Sequence, residues 1–286
     1  MRKLFASLGT GVAAGLAGIF AGAVWAVAPA GATEAENWHM GLQEAATPVA
    51  ESIHEFHELL LYIITAITLF VLGLLLYVMF RFSEKRNPKP SRTAHNTLIE
   101  VLWTVVPVII LVAIAIPSFK LLYLTDASED AEMTVKVYGN TWNWTYEYPD
   151  HGGFQFTAQM KAESELQPGE LRNLATDNVV VLPSDTKIRF IVTSNDTLHS
   201  FAMQPWGIKV DAVPGRLNET WAMIPSKFDG EIFYGQCSEL CGVNHAYMPI
   251  MVKVVSKADF ATWVEQAKQE FGAVETAPAA TQLAGK

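Results

Sequence analysis

The sequence has little charge and almost no cysteine. Only 17% of its 286 residues are charged and 50% are hydrophobic, which excludes a disordered or linker-like chain. Two cysteines cannot form the disulfide framework of a small secreted domain. Acidic residues outnumber basic ones, 29 against 20, and the net charge of −9 argues against binding to nucleic-acid phosphates. The apolar content directs attention to segments that belong in lipid, and the length suggests about two domains.

The N-terminal segment, residues 1–32, predicts a signal peptide. Arg2 and Lys3 precede an apolar run rich in alanine and glycine, and Ala30 and Ala32 form a small-residue cleavage pattern. We therefore expect cleavage near Ala32. The apolar run is long for a signal peptide, so an uncleaved membrane helix is the alternative.

Two later apolar runs predict a transmembrane hairpin. Residues 59–80 carry no charge, and the second predicted helix, residues 98–124, carries only Glu100 before residue 120. A helix of about 20 apolar residues spans the hydrocarbon core of a bilayer. The buried helix of a soluble protein is the alternative, but two full-length runs so close together favour the membrane.

Charge predicts the orientation of the hairpin. The connecting loop, residues 81–97, is basic, whereas residues 33–58 contain glutamate but no lysine or arginine. The basic residues of the loop, set against Glu84 alone, are Arg81, Lys85, Arg86, Lys89 and Arg92. Because positive charge stays in the cytoplasm, both chain ends are expected on the periplasmic side of the inner membrane in a bacterium, or in the equivalent compartment of an organelle. Residues 33–58 are then a periplasmic N-terminal segment.

Residues 125–256 change to a pattern of short β-strands. Candidate strands with alternating or continuous apolar residues lie at 134–137, 178–182, 187–193, 231–234 and 250–255. Many short strands, separated by Pro-Gly and Asp-Gly turns, predict a β-sandwich or barrel. Ser256 opens a predicted C-terminal helix over residues 257–271, and the Ala/Pro/Thr-rich residues 272–286 predict a flexible tail.

One short loop concentrates metal-binding side chains. It contains Cys237, Cys241, His245 and Met248, and His199 ends a strand-like run earlier in the chain. Two thiols and two imidazoles are compatible with structural zinc, with a disulfide or with copper. Zinc has no use for the methionine and a disulfide has none for the histidines, whereas a blue-copper site takes one Cys, two His and a weak axial Met. The second cysteine supplies enough ligands for two copper ions bridged by thiolates.

The motif Cys-Ser-Glu-Leu-Cys-Gly-x-x-His-x-x-Met resembles that of subunit II of bacterial haem–copper cytochrome c oxidases. The hairpin, the aromatic run at 142–148 and the Asp-Ala-Val-Pro-Gly-Arg segment at 211–216 extend the resemblance over about residues 50–256. It implies a cupredoxin β-barrel with a binuclear copper centre, CuA, behind the membrane hairpin. Related quinol-oxidising subunits lack the copper ligands, so cytochrome c is the implied electron donor.

The resemblance assigns a role to each residue of the motif. The implied side-chain ligands of copper are His199, Cys237, Cys241, His245 and Met248. Glu239 would give its backbone carbonyl to copper and its carboxylate to a magnesium ion shared with subunit I. The chain would be the electron-accepting subunit of the oxidase, an oxidoreductase and translocase. Oxygen reduction and proton pumping would belong to the haems and CuB of subunit I, with subunit III as a further partner.

The resemblance also implies where electrons enter. Trp142 matches the exposed tryptophan through which the family accepts electrons. Alternation places Trp142, Trp144, Tyr146 and Tyr148 on one side of a strand, and a role in the core is an equally good interpretation of the last three.

The resemblance implies that three carboxylates bind the ring of lysines on cytochrome c. Glu147, Asp177 and Asp196 match family positions of this kind, whereas Thr157 replaces a further acidic position. The acidic character of the chain would steer a basic partner towards it.

Glu100 is an ionisable group at the cytoplasmic end of the second span. Intramembrane carboxylates are functional candidates, although a carboxylate stabilised by the dipole of its helix is the alternative. The family residue at this position lies at the mouth of a proton path into subunit I. The resemblance therefore predicts that Glu100, with His95 as a candidate neighbour, forms a proton entrance.

Two other classes of function remain open on the residues alone. A membrane-anchored copper carrier or assembly module would bind one exchangeable Cu(I), and a thiol–disulfide or zinc module would contain no copper. Nitrous oxide reductase has a similar copper centre, but it is soluble and lacks a membrane hairpin.

Overall fold

The computed structural model describes residues 38–272. The predicted signal peptide and the tail beyond residue 272 lie outside the described residues. Two long helices come first, α1 at Pro48–Arg81 and α2 at Thr97–Thr125. They are followed by a β domain and by a C-terminal helix, α3, at Lys257–Phe271.

Each membrane helix starts at a side-chain cap. Thr47 accepts a hydrogen bond from the backbone N–H of Ala50 through Oγ1 at 3.1 Å, and Pro48 occupies the first helical position. Asn96 accepts from the backbone N–H groups of Leu98 and Ile99. As a result α1 begins well before the apolar run at residue 59, and its first turns are polar.

Both helices have the length and composition of membrane spans. Their most apolar windows have mean hydropathies of 2.8 and 2.7, and 0% of either window is buried inside the protein. The core helix of a soluble protein would be covered by its own chain. Because their apolar surface is uncovered, these two helices are better suited to a lipid bilayer than to water.

Ten strands form two five-stranded sheets in the described part of the chain. The strands are β1 Met133–Asn140, β2 Asn143–Tyr148, β3 Phe154–Ala158, β4 Val180–Pro183, β5 Ile188–Ser194, β6 His199–Met203, β7 Ile208–Ala212, β8 Asn218–Ala222, β9 Ile232–Cys237 and β10 Ile250–Val255. One sheet has the order β3-β2-β1-β5-β8 and the other β4-β10-β9-β6-β7. The β1–β5 and β10–β4 pairs are parallel and the remaining pairs antiparallel. The predicted order of a helical hairpin and then a β-sandwich or barrel is confirmed.

The core lies between the sheets and is rich in aromatic side chains. Val135 and Val137 of β1 are fully buried, and their neighbours along the strand are half-buried, as the alternation predicted. Trp144, Tyr146 and Tyr148 of β2 are also buried. These three aromatics therefore belong to the core.

Helix α3 closes one edge of this core. Its Phe260 and Val264 are buried, and Trp263 packs against Tyr148 and Phe154 with ring centroids 5.2 and 5.7 Å apart. Ser256 caps the helix by accepting from the backbone N–H of Asp259.

Several contacts hold the β domain on the membrane helices. Ahead of α1, Thr47 donates from Oγ1 to the Trp206 carbonyl at 2.8 Å. At the end of α2, the Leu124 carbonyl accepts from Nε1 of Trp221 at 3.0 Å. Gly207, with φ of +69°, lies where a Cβ would come within 2.7 Å of the Ile53 side chain, so the close approach depends on glycine. The segment that α1 contacts directly follows β6, the strand that begins with His199.

Candidate metal centre

Pairing of β6 with β9 brings the distant histidine to the cysteine loop. Phe201 of β6 is opposite Cys237, the last residue of β9. His199 is the first residue of β6, beyond a turn at residues 195–198, so the expectation that it ends the preceding strand-like run is wrong. β5 ends at Ser194, and Asp196 in the turn that follows accepts a hydrogen bond from the backbone of the next residue.

The predicted ligands converge on a compact cluster. The two sulfur atoms, Sγ of Cys237 and Sγ of Cys241, are 3.9 Å apart, and neither cysteine is in a disulfide. Nδ1 of His199 is 3.9 Å from the Cys237 sulfur, and Nδ1 of His245 is 3.5 Å from the Cys241 sulfur. Sδ of Met248 is also 3.5 Å from the Cys241 sulfur. Each cysteine thus has its own imidazole, and the thioether lies on one side of the pair.

The backbone completes this set of donor atoms. The Glu239 carbonyl oxygen lies 3.4 Å from the Cys237 sulfur. The Glu239 carboxylate is half-buried and, within residues 38–272, has no hydrogen bond or ion pair. Its backbone therefore faces the cluster while its side chain is available to a group outside the described chain.

The donor set fits copper. Three of the ligand atoms, from His199, Cys237 and Cys241, lie within 4.8 Å of one another and belong to buried residues. Burial, and after it the charge of Cys237, raises the pKa of Cys241 to about 12. The two cysteines can therefore ionise together only when a cation is bound beside them, and thiolate and thioether sulfur are the soft ligands that favour copper.

Asp196 orients the buried histidine. Its Oδ1 lies 2.9 Å from Nε2 of His199, and donation from Nε2 leaves Nδ1 unprotonated towards the sulfur of Cys237. Its Oδ2 accepts from the backbone N–H and the hydroxyl of Thr141 at 2.6 and 2.5 Å. Burial raises the pKa of Asp196, but the hydrogen bonds from Thr141, His199 and Thr197 outweigh it and hold the pKa well below its usual range.

Two further residues pack around the cluster, and the sequence analysis did not predict this contact for either of them. Trp144 meets the His199 ring edge-on, with centroids 5.9 Å apart, and donates from Nε1 to the Met248 carbonyl at 3.1 Å. A Cβ on Gly139 would lie 2.9 Å from the His199 ring, so this glycine makes room for the imidazole. Neither role has a sequence signature, because each contact joins segments that are far apart in the chain.

Trp142 lies beside the cysteine loop, just before β2 begins. Its side chain is half-buried, and its Nε1 donates to the Cys241 carbonyl at 3.1 Å. Its ring would be 3.1 Å from a Cβ on Gly242. It also lines an open cavity of about 380 Å³ together with Tyr247 and Asn244. The indole therefore lies between the protein surface and the loop that carries the predicted ligands.

The three predicted docking carboxylates differ in how they are paired. Glu147 accepts from Nζ of Lys136 at 2.8 Å and from the Tyr138 hydroxyl at 2.7 Å. Asp177 is exposed and accepts only backbone N–H groups, from Gln159 and Asn178, both at 2.7 Å. With Asp196 bonded to His199, Asp177 is the one of the three that has neither a cation nor a histidine beside it within the described residues.

Glu100 lies far along the chain from this cluster, in the first turn of α2. Its Oε1 accepts from the backbone N–H of Asn96 at 3.1 Å, while the Asn96 side chain caps the same helix. The carboxylate therefore has a local structural partner, and its role in proton entrance stays a prediction.

In comparisons with known proteins, the two parts of the chain match two family models of the same subunit. The family model described as cytochrome c oxidase subunit II, periplasmic domain, matches residues 133–255, and the transmembrane-domain model of the same subunit matches residues 35–121. A Rickettsia bellii protein named probable cytochrome c oxidase subunit 2 is 49% identical over 233 residues, which cover 82% of this chain and 86% of the relative. Cytochrome c oxidase subunit 2 of Zea mays is 45% identical over 236 residues, with 80% and 90% covered.

A solved structure is similar to the β domain in sequence. The periplasmic domain of subunit II of cytochrome oxidase (CoxB) of Bradyrhizobium japonicum is 46% identical. The match covers 50% of this chain and 99% of that chain, with a TM-score of 0.46.

Proposed function

The chain belongs to the cytochrome c oxidase subunit II family, and from this premise we propose that it is the electron-accepting subunit of a proton-pumping haem–copper oxidase. It takes electrons from cytochrome c and passes them to haem in subunit I, where O2 is reduced to water. The observation that carries the proposal is the buried pair of cysteines in which each sulfur has its own histidine. When bound, a copper pair, CuA, supplies a one-electron redox centre at this place.

The chain's own residues hold that centre rigidly. The groups proposed to bind copper are the side chains of His199, Cys237, Cys241, His245 and Met248 and the Glu239 carbonyl. His199 and Cys237 belong to two paired strands, and Asp196 fixes the tautomer of the histidine. Ligands that are already in place do not rearrange when charge changes, so electron passage needs little driving force.

The Glu239 carboxylate is proposed to bind a magnesium ion at the contact with subunit I. Its lack of a partner within the described residues supports this assignment. Carboxylate oxygen is a preferred ligand of Mg²⁺, which keeps some of its own waters and takes only one or two protein carboxylates. Subunit I is thus the proposed neighbour of the cysteine loop, and subunit III a further component.

Electrons are proposed to enter through Trp142. Its partial exposure and its hydrogen bond to the Cys241 carbonyl support this role. Cytochrome c docks on the acidic surface around it, and Asp177 contributes more than Glu147 because the Glu147 charge is already paired with Lys136.

The membrane arrangement follows from the helices and their charges. The two helices span the bacterial inner membrane, with loop 81–97 in the cytoplasm and the copper domain in the periplasm. This arrangement puts Glu100 at the cytoplasmic side, where it is proposed to open the proton path into subunit I. It also agrees with removal of residues 1–32 as a signal peptide.

Electron paramagnetic resonance of the copper-loaded full chain tests the central proposal. We expect two copper ions per chain and one unpaired spin shared by two copper nuclei. A copper carrier would bind one Cu(I), and a zinc or disulfide module would give no copper signal. The matched variant Cys241→Ser removes one bridging sulfur and is expected to abolish the shared signal; a spectrum from a single copper in the unmodified chain would refute the proposal.

A further inference from the structure

The outer ends of the two membrane helices enclose a cleft that electron transfer does not use. The cleft has a volume of about 620 Å³ and lies between α1 and α2. Its walls are mainly apolar, with Phe56 and Leu59 from α1 and Leu121 and Leu124 from α2. A concave apolar surface shared by two helices is suited to a linear hydrocarbon chain.

Two opposite charges also line the cleft, Glu55 on α1 and Lys120 on α2. Both are exposed, and within residues 38–272 neither has a hydrogen-bond or ion-pair partner. Glu55 lies about one turn along α1 from Leu59, and Lys120 about one turn along α2 from Pro117. Because the helices run in opposite directions, both charges lie at a similar height above the apolar floor of the cleft.

This height corresponds to the edge of the hydrocarbon layer. Residues 59–80 of α1 and residues 101–119 of α2 contain no charged side chain, so both charges lie just outside the apolar spans. Charged side chains at the ends of spans reach the level of lipid headgroups. The cleft therefore changes from apolar to charged along its length, as a phospholipid does.

We propose that this cleft binds one zwitterionic phospholipid with a primary ammonium headgroup, of the phosphatidylethanolamine class. The lipid phosphate accepts hydrogen bonds from Lys120, the lipid ammonium donates to Glu55, and an acyl chain lies against Leu59 and Leu121. Hydrogen bonds between ionised partners are the strong ones, and both ends of this headgroup find one. Phosphatidylcholine has no N–H to donate, and phosphatidylglycerol has no cation for the glutamate. This site goes beyond the proposed electron transfer and does not depend on copper.

Native mass spectrometry of the full-length chain in mild detergent tests the proposal. The delipidated chain is mixed with equal amounts of phosphatidylethanolamine, phosphatidylcholine and phosphatidylglycerol that carry identical acyl chains. We expect one phosphatidylethanolamine to be retained per chain in preference to the others. Lys120→Gln is expected to weaken its retention about tenfold, the scale of losing one charge-assisted hydrogen bond. Glu55→Gln is expected to remove the preference over phosphatidylglycerol, because only the ammonium distinguishes the two.

Matched controls separate the site from general charge effects. Glu58→Gln and Lys85→Gln alter exposed charges outside the cleft and are expected to leave retention unchanged. Leu121→Trp fills the apolar wall and keeps both charges, so it is expected to displace the lipid while circular dichroism shows intact helices.

Three outcomes would overturn the proposal. The first is equal retention of the three lipids, and the second is selective retention that neither Lys120→Gln nor Glu55→Gln alters. The third is a dimer of the chain that Leu121→Trp dissociates, since a second copy would then occupy the cleft.

Discussion

Replacement of Asp196 by asparagine tests how the proposed copper ligand His199 is held. The carboxylate accepts from five donors: Nε2 of His199, the backbone and hydroxyl of Thr141, the backbone of Thr197 and, more weakly, the hydroxyl of Ser194 at 3.3 Å. An asparagine in the same position has only one acceptor oxygen. The amide can take two orientations. In the first, its nitrogen faces the Thr141 N–H; in the second, its nitrogen faces Nε2 of His199 and favours the histidine tautomer that is protonated at Nδ1.

The magnitude follows from these two arrangements. In the first, one charge-assisted hydrogen bond is replaced by two opposed donors, a loss of about 1.5–3 kcal/mol. Because the Asp196 side chain is 35% exposed, water can satisfy part of that loss, and we expect about 1–2 kcal/mol in the stability of the copper-free chain. In the second, the proton on Nδ1 must leave before copper binds. Loss of such an outer partner typically weakens metal binding about 10–100-fold.

Competition of the full-length chain with a copper chelator, followed by absorbance, measures this change. Asp177→Asn is the matched control, since Asp177 also accepts backbone N–H groups but contacts no proposed ligand. We expect weaker copper binding for Asp196→Asn and unchanged copper affinity for Asp177→Asn. Unchanged copper affinity in Asp196→Asn would refute the orienting role, and weaker cytochrome c binding alone would assign Asp196 to docking.

Three further predictions concern attachment of the β domain, its acid sensitivity and its docking surface. Gly207→Ala is expected to lower the unfolding free energy by about 1–3 kcal/mol more than Gly215→Ala in thermal denaturation, since both glycines have positive φ but only Gly207 faces a close neighbour. Burial lowers the pKa of His151 below 6.5; the charge of Asp150 opposes this shift, and the smaller effect of Lys268 adds to it. The unfolded state therefore binds more protons, and stability is expected to fall as pH drops below about 6.5, with a weaker dependence in His151→Gln. Asp177→Asn is expected to weaken cytochrome c association at low salt more than Glu147→Gln, with the difference disappearing at high salt.

Each of these expectations has a result that contradicts it. Equal destabilisation by the two glycine variants would show that backbone strain alone matters at residue 207. The same pH dependence in wild type and His151→Gln would exclude the half-buried imidazole as its source. A larger effect of Glu147→Gln than of Asp177→Asn would show that the ion pair with Lys136 opens when cytochrome c docks.

The sequence alone determined the features that depend on neighbouring residues. The two spans follow from uncharged runs of membrane length, and β1, β5 and β10 follow from local apolar patterns, because hydrophobic burial repeats at the period of the element. Four of the proposed copper-binding side chains lie in one loop, so their spacing is visible as a motif.

Only the tertiary structure decided which residues from distant segments of the chain are in contact. Pairing of β6 with β9 places His199 beside Cys237, and the turn before β6 gives Asp196 its hydrogen bond to that histidine. The hydrogen bond from Trp142 to the Cys241 carbonyl likewise joins positions far apart in the chain. Such contacts depend on strand register and side-chain direction, which a local pattern does not encode, because one apolar period is compatible with many pairings.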